Sequence, residues 1–221
     1  GIDGITGQTT FNFTAKADHI STVDGGNYLI WGYADNDDRE GFAGTRAQYP
    51  GPTLIVNQGE TITVNLTNNL SEPVSMIFPG QTGVTTTPSG TNPGPLTKEV
   101  PTGATVQYQF VASQPGTYMY HSGTDMQLQV EMGLLGALIV RPSMGADYAY
   151  NSAETRWDRE YLFLLTEMDP RVHDAVEFGR PLFDNTEYYA VYWFINGRVA
   201  PDDMAEPYVS WLPTQPYNIV P

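Results

Sequence analysis

The 221-residue chain contains no cysteine and only three histidines. Without cysteine it can form no disulfide bond, use no thiolate in catalysis and offer no thiolate to a metal ion. Long hydrophobic runs are missing as well. No segment approaches the roughly 20 apolar residues that a membrane-spanning helix needs, so no membrane span is predicted.

Basic residues are few, with 10 Lys and Arg against 25 Asp and Glu, which gives a formal net charge of −15. A surface this acidic repels phosphate backbones and anionic membranes, so a nucleic-acid partner is excluded. The excess acid is interpreted as a solvated surface that keeps the protein soluble.

Glycine (22), proline (17) and β-favouring residues are abundant, which is typical of short strands joined by turns. Ile62, Val64 and Leu66 alternate with polar residues, as in a strand that is buried on one face. Turn signals recur every 8 to 15 residues, and Asp24-Gly25-Gly26 marks a hairpin. We therefore predict an all-β fold, an antiparallel β-sandwich, with further strands at 53–56, 105–112, 116–121 and 134–140.

Residues 160–221 form a second, smaller unit in this interpretation. Strands are predicted at Glu160–Thr166 and Tyr188–Ile195, followed by a turn at Asn196-Gly197, and His173 is placed in an acidic loop. These are about half the strands that a sandwich needs. The predicted organisation is one domain at 1–142, a polar linker at 143–159 and an incomplete unit at 160–221.

An acidic loop at 34–46 offers hard oxygen ligands. Asp35, Asp37, Asp38 and Glu40 stand close together, and carboxylates suit calcium, although the full EF-hand pattern is missing. A calcium site and a merely solvated loop both remain open.

Residues 49–141 resemble the first domain of multicopper oxidases, the cupredoxin-fold family that includes laccases. The resemblance rests on YPGPTLIVNQGETITVNLTNNL and on QPGTYMYHSGTDMQLQVEMGLLGALIVRP, in the family's order and spacing. It implies a cupredoxin-like Greek-key β-sandwich, followed by a partial second cupredoxin-like unit.

The resemblance also indicates where copper ligands should stand. In the family this domain offers two His-X-His pairs to a three-copper cluster. The first pair falls here at Ile77 and Pro79 and the second at His121 and Gly123, so His121 is the single remaining ligand. Its alternative role is a hydrogen bond at a strand end. The blue copper ligand Cys is absent too, so the chain alone is expected not to hold copper stoichiometrically.

Other potential donors do not restore the set. Met126 and Met132 could supply soft sulfur to cuprous copper, but Met132 and Met76 lie in apolar sequence and are predicted to be core residues. His19 and His173 are distant from the motif in sequence.

Two functions follow. The first is the N-terminal part of an exported, copper-dependent oxidoreductase whose copper sites lie outside this chain. The alternative is a non-catalytic structural, assembly or binding module, and a carbohydrate or small-molecule binder is a third interpretation. The resemblance implies a periplasmic, cell-surface or extracellular protein. Residues 160–221 are expected to be covered by a C-terminal continuation or another subunit, with a homo-oligomer as one form of the latter.

Overall fold

Two β-sheets enclose one core in the computed structural model, which describes residues 4–37, 46–88 and 94–204. The larger sheet has the strand order β2-β1-β4-β6-β5, and the smaller has the order β3-β8-β7. Their bounds are β1 Thr10–Ser21, β2 Asn27–Asp35, β3 Gly51–Asn57, β4 Thr61–Asn68, β5 Thr85–Thr87, β6 Thr105–Val111, β7 Gly116–His121 and β8 Leu135–Arg141. The predicted all-β sandwich is confirmed.

The sheets are mixed, so the prediction of purely antiparallel pairing was wrong. β1 runs parallel to β4, and β3 runs parallel to β8, whereas the other neighbours are antiparallel. Hairpin signals report only pairs that are adjacent in sequence. The two parallel pairs join strands that are distant in the chain, which a local pattern cannot reveal.

Alternation along the strands produces the core. Ile62, Val64 and Leu66 of β4 are fully buried, while Thr61 is exposed and Thr63 is half-buried. Each buried side chain of this size is worth about 1.5–3 kcal/mol relative to exposure. The period-two pattern therefore identified the inward face of β4 correctly.

The second part of the chain contains a two-stranded sheet and a helix among its described residues. The strands are β9 (Leu165–Met168) and β10 (Tyr192–Ile195), and both are shorter than predicted. Residues 160–164 are extended but belong to no ladder. Asn196 holds them instead, because its Oδ1 accepts from Leu164 N and its Nδ2 donates to the Leu162 carbonyl, both at 2.8 Å.

Helix α2 (Pro170–Glu177) was predicted as part of an acidic loop, which was wrong. Asp169 accepts a hydrogen bond from Arg171 N as the N-cap, and Pro170 occupies the first helical position, where its missing N–H costs nothing. Val172 and Ala175 then share the buried face. A six-residue helix, α1 (Met126–Glu131), leads into β8.

Residues 160–204 pack against the first part of the chain. Leu164 contacts Leu135 and Ala137 of β8. Phe194 stacks edge-on against Tyr49 at 5.2 Å between ring centroids. The predicted boundary at 143–159 remains a prediction. None of the helices in the described ranges is long and apolar enough to cross a membrane.

Candidate metal centre

The fold brings the two expected ligand positions face to face. Ile77 and His121 form an antiparallel bridge, with Ile77 N donating to the His121 carbonyl at 2.8 Å and His121 N donating back at 3.2 Å. Directly opposed residues share one face of a sheet. The scaffold therefore keeps the juxtaposition that a shared cluster needs, but isoleucine has no lone pair to offer a metal.

Alternation along β7 sets the direction of the His121 side chain. Tyr120 is fully buried and donates its hydroxyl to the Pro52 carbonyl at 2.6 Å, whereas His121 is half-buried on the opposite face. His121 Nδ1 lies 2.9 Å from the Ser122 carbonyl oxygen and donates to it. That bond leaves Nε2 with the lone pair, so one nitrogen of His121 could still bind a metal.

Gly123 stands where a second histidine would be, and the space is taken. A Cβ at this position would lie 2.7 Å from Ile77 Cγ2, 3.1 Å from Ser75 Oγ and 3.6 Å from Leu96 Cβ. Ile77 thus stands at one position where the resemblance predicts a ligand, and its side chain fills the space beside Gly123, where the resemblance predicts another.

Hydrogen bonds occupy the rest of this region, and the one carboxylate among them is Glu99, whose Oε1 accepts from Thr124 Oγ1 at 3.0 Å. Ser75 is fully buried, and its Oγ accepts from Gly123 N at 3.1 Å. Ser122 Oγ donates to Gln129 Oε1 at 2.5 Å, while Gln129 Nε2 donates to the Pro73 carbonyl at 2.9 Å. Buried polar groups satisfied in this way form a stable core and leave no set of lone pairs that converge on a metal.

The fourth position, Pro79, lies in a turn directly after Phe78, a core residue in contact with Phe110. Its ring nitrogen is part of the backbone amide and cannot bind a metal. Across residues 4–37, 46–88 and 94–204, no group of three or more His, Asp or Glu side chains is close enough to hold a metal ion. The described residues therefore do not fit the copper cluster of the family.

The methionines are placed as the sequence suggested. Met76 and Met132 are fully buried in the core. Met126 is 43% exposed at the first residue of α1 and lines a surface cavity. The thioethers of Met76 and Met132 are packed among core side chains.

The other two histidines hold α2 on the first part of the chain. His19 Nε2 lies 3.0 Å from Glu177 Oε1, and His173 Nδ1 lies 2.6 Å from the Leu29 carbonyl oxygen. His173 is fully buried. Neither residue joins His121.

The calcium prediction is only partly within the described residues. Asp37 Oδ1 accepts from Asn12 Nδ2 at 3.2 Å, and Asp35 Oδ1 accepts from Asp37 N at 3.1 Å. Asp38 and Glu40 lie outside the described residues. Calcium binding remains a prediction.

A surface cavity of about 930 Å³ was missed by sequence reasoning. Its walls come from β7, α1, β8, β9, α2 and β10, together with Tyr49 and the segment 182–188. The Asp169-Pro170 pair could have indicated the start of α2, which provides one wall. The other walls come together only in the tertiary structure.

Sequence comparison finds the same family along most of the sandwich. A family model described as multicopper oxidase matches residues 32–145, just over half of the chain. An L-ascorbate oxidase from Cucurbita pepo var. melopepo is 33% identical over 144 residues, which cover 63% of this chain and 24% of that protein. The chain thus spans about a quarter of the length of the curated relatives it matches.

Two solved structures share the fold. The multicopper oxidase mgLAC has a TM-score of 0.66 at 24% identity, over 90% of this chain and 56% of that one. A blue copper oxidase from Nitrosomonas europaea has a TM-score of 0.65 at 23% identity, over 90% and 55%. Because the family model matches more than half of the chain, the chain belongs to the multicopper oxidase family.

Proposed function

We propose that this chain is the N-terminal scaffold part of a multicopper-oxidase-like protein, and that the copper chemistry of the parent protein lies in polypeptide outside this chain. The scaffold supplies the sandwich and an interface, and within its described ranges it offers no copper ligand beyond His121. No step of oxygen reduction is assigned to these residues.

The Ile77–His121–Gly123 arrangement carries the proposal. The backbone keeps the strand pairing, while Ile77 removes one donor and occupies the space next to Gly123. A copper site needs several converging donors, and one imidazole with a free Nε2 supplies only one. Family membership supports the copper oxidoreductase assignment for the parent protein.

A second candidate is a metal-free module that serves assembly or binding throughout. The satisfied Ser75–Gly123 and Ser122–Gln129 hydrogen bonds favour it, because they make the former ligand region a stable polar core. The two candidates differ in the copper content of the parent protein.

Further polypeptide is proposed to cover the outer face of the β9–β10 unit, either a continuation of the chain or a neighbouring subunit. This outer face consists of Tyr161, Phe163, Leu165, Val191 and Trp193, all more than 40% exposed. Clustered apolar side chains of this kind mark an interaction surface more often than a free one. The family resemblance also supports an exported location, which fractionation of the source cells would test.

The first experiment measures copper and activity together. We expect the purified 221-residue chain to retain less than one copper per molecule after dialysis and to oxidise neither phenols nor ferrous iron. Weak copper binding that disappears in His121→Ala agrees with the proposal. Stoichiometric copper with turnover in the isolated chain would contradict it, and a parent protein without copper would favour the metal-free module.

A further inference from the structure

The cavity beside α1 is separate from the former ligand region. Its described walls include Met119 of β7, Met126 and Glu131 of α1, Leu165 and Glu167 of β9, and Trp193 of β10. Its volume of about 930 Å³ is at the upper end of the range of small-molecule pockets. It is therefore large enough for a ligand with a substantial apolar body.

Most of the wall consists of apolar side chains, two of which are conformationally flexible methionines. Met119 and Met126 contribute flexible thioethers, which adapt to irregular shapes, and Leu182 and Leu165 add aliphatic surface. Trp193 is 64% exposed on the β10 side. Its indole can stack on an aromatic ligand, and the negative face of its ring can attract a cation.

Every charged side chain in the described part of the wall is acidic. These are Asp125 and Glu167, both exposed, and Glu131, which is half-buried. Glu131 Oε2 accepts from the Tyr188 hydroxyl at 2.9 Å, and its Oε1 accepts from Asp169 N at 2.7 Å. Glu131 is thus fixed in place, whereas Glu167 lies on the β9 strand with its carboxylate towards solvent.

The negative potential extends into the cavity interior. Burial raises the pKa of Tyr188, and the Glu131 and Glu167 carboxylates raise it further. Tyr49 shows the same pattern, with its pKa raised first by burial and then by the same two carboxylates, against a hydrogen bond with Thr166 that lowers it. Two hydroxyls on the wall therefore sense the same two negative charges.

Two basic side chains lie near this wall. His173 is fully buried, and its Nε2 lies 3.6 Å from Glu131 Oε1. Arg171 lies over the Phe183 ring at 4.4 Å. Its guanidinium is engaged by Asp169, with Nη2 donating to Oδ2 at 2.6 Å and Nε donating to Oδ1 at 2.9 Å. The Arg171–Asp169 pair is internally neutral, so Arg171 does not offset the exposed Glu167 carboxylate on the cavity wall.

We propose that this cavity binds a small organic cation with an apolar body, of the class of hydrophobic amines. The ammonium group lies towards Glu131 and Glu167, where the carboxylates attract it, and the Trp193 indole adds a cation–π contact. The apolar body packs on the methionine and leucine wall. Anions are repelled, and neutral analogues lose the electrostatic gain.

This inference goes beyond the proposed function and does not depend on it. Leu165 and Trp193 belong both to the cavity wall and to the outer face. A partner on the outer face therefore lies next to the bound amine. Copper content and amine binding are measured separately, so either result stands without the other.

The test is isothermal titration calorimetry on the full 221-residue chain with three matched probes: 4-phenylbutylamine, 4-phenylbutanol and 4-phenylbutyrate. We expect the amine to bind with one-to-one stoichiometry and at least about tenfold more tightly than the alcohol, and the acid not to bind. Added salt should lower the affinity for the amine, because part of the attraction is between solvent-accessible charges.

Variants locate the site. Glu167→Gln should lower the affinity for the amine about threefold or more. Leu182→Lys changes a half-exposed position of the wall, and it should abolish amine binding while the circular dichroism spectrum stays unchanged. Glu154→Gln removes an exposed carboxylate that does not line the cavity, and it should have no effect.

Three outcomes would overturn the proposal. The first is equal affinity for the amine and the alcohol. The second is amine binding that Glu167→Gln and Glu154→Gln weaken equally. The third is no amine binding together with a change of oligomeric state in Leu182→Lys, which would identify the cavity as a protein–protein interface.

Discussion

At the scale of single residues, the former ligand positions are linked by packing. Ile77 faces His121 across a two-residue bridge, and its Cγ2 fills the space beside Gly123. The residues at two of the predicted ligand positions are therefore coupled by packing. A histidine introduced at position 123 alone would therefore clash with the Ile77 side chain, whatever metal was present.

Gly123→Ala tests this coupling. We expect it to lower the free energy of unfolding by about 1–3 kcal/mol, because a new Cβ 2.7 Å from Ile77 Cγ2 overpacks the site. In the background of Ile77→Ala the same change should cost less. Chemical denaturation of the four proteins in a double-mutant cycle measures the interaction.

Gly59→Ala is a poor control for that cycle, since Gly59 has a φ of +88° and its cost would be conformational. The suitable reference is the cost of Gly123→Ala in the Ile77→Ala protein, compared with its cost in the wild type. Equal costs in the presence and absence of the Ile77 side chain would show that Ile77 does not fill the site.

At the scale of elements, the β9–β10 unit has two different faces. Phe194 and Tyr192 are buried against Tyr49, Ile20 and Ile30, whereas Trp193 on the same strand points outward. The run 161–165 alternates in the same way, with Leu164 buried and Phe163 exposed. One face is packed within the chain, and the other is the proposed partner surface.

Neighbouring residues of β10 provide a matched pair. Phe194→Ala should destabilise the chain by about 3–5 kcal/mol, because it leaves a cavity against Tyr49. Trp193→Ala should change the stability by less than about 1 kcal/mol, because its side chain is 64% exposed. Thermal unfolding checks both, and a large loss for Trp193→Ala would mean that the outer face is already covered in the isolated chain.

The β1–β2 turn is tied to β10 by a carboxylate. Asp24 accepts from Thr22 Oγ1 at 2.5 Å and from the Tyr192 hydroxyl at 2.6 Å. These two hydrogen bonds, with Thr22 the larger contribution, lower the pKa of Asp24 from 3.8 to about 2. Because the folded pKa is depressed, the contribution to stability is complete above pH 3.8 and is lost as the pH falls towards 2.

Tyr192→Phe should therefore lower Tm at pH 7, and the difference from the wild type should shrink between pH 4 and pH 2. Tyr189→Phe, at a residue that is 69% exposed, should show no such pH dependence. If the Tm difference between Tyr192→Phe and the wild type stayed constant from pH 4 to pH 2, the stabilisation by the Tyr192 hydroxyl would not depend on the ionisation of Asp24. Scanning calorimetry at several pH values makes the measurement.

At the scale of the whole molecule, residues 160–204 are joined to the sandwich at both ends of the polar stretch. Arg141 at the end of β8 forms a two-pronged ion pair with Glu160, in which Nη2 donates to Oε2 at 2.7 Å and Nη1 donates to Oε1. Both side chains are largely buried, at 14% and 17% exposure. The pair closes the loop that the sequence suggested as a linker.

Glu160→Ala should cost about 3–5 kcal/mol, since it leaves the Arg141 charge buried without its partner. Proteolysis should then release fragments from residues 143–204 before the sandwich is cut. The control is Asp147→Ala, which breaks the exposed pair with Arg156 and should cost less than about 1 kcal/mol. Equal effects of the two substitutions would show that Glu160 does not hold the two parts together.

The sequence by itself determined the all-β fold class, most strands of the sandwich and the family, and it predicted that three of the four expected ligand positions hold no histidine. Period-two burial in β4 and the motif order from Tyr49 to Arg141 are local features, which a chain carries without folding. The absence of cysteine and of three of the four expected histidines is likewise visible in the letters alone.

Only the tertiary structure decided how the remaining residues are used. That Ile77 faces His121, that Gly123 has no space for a side chain and that Trp193 points outward while Phe194 points inward all depend on contacts between segments distant in sequence. The acidic cavity is built from six elements in the same way. A local pattern can indicate which face of one strand is buried, but which distant segments oppose each other, and which apolar side chains stay exposed, depends on packing between elements.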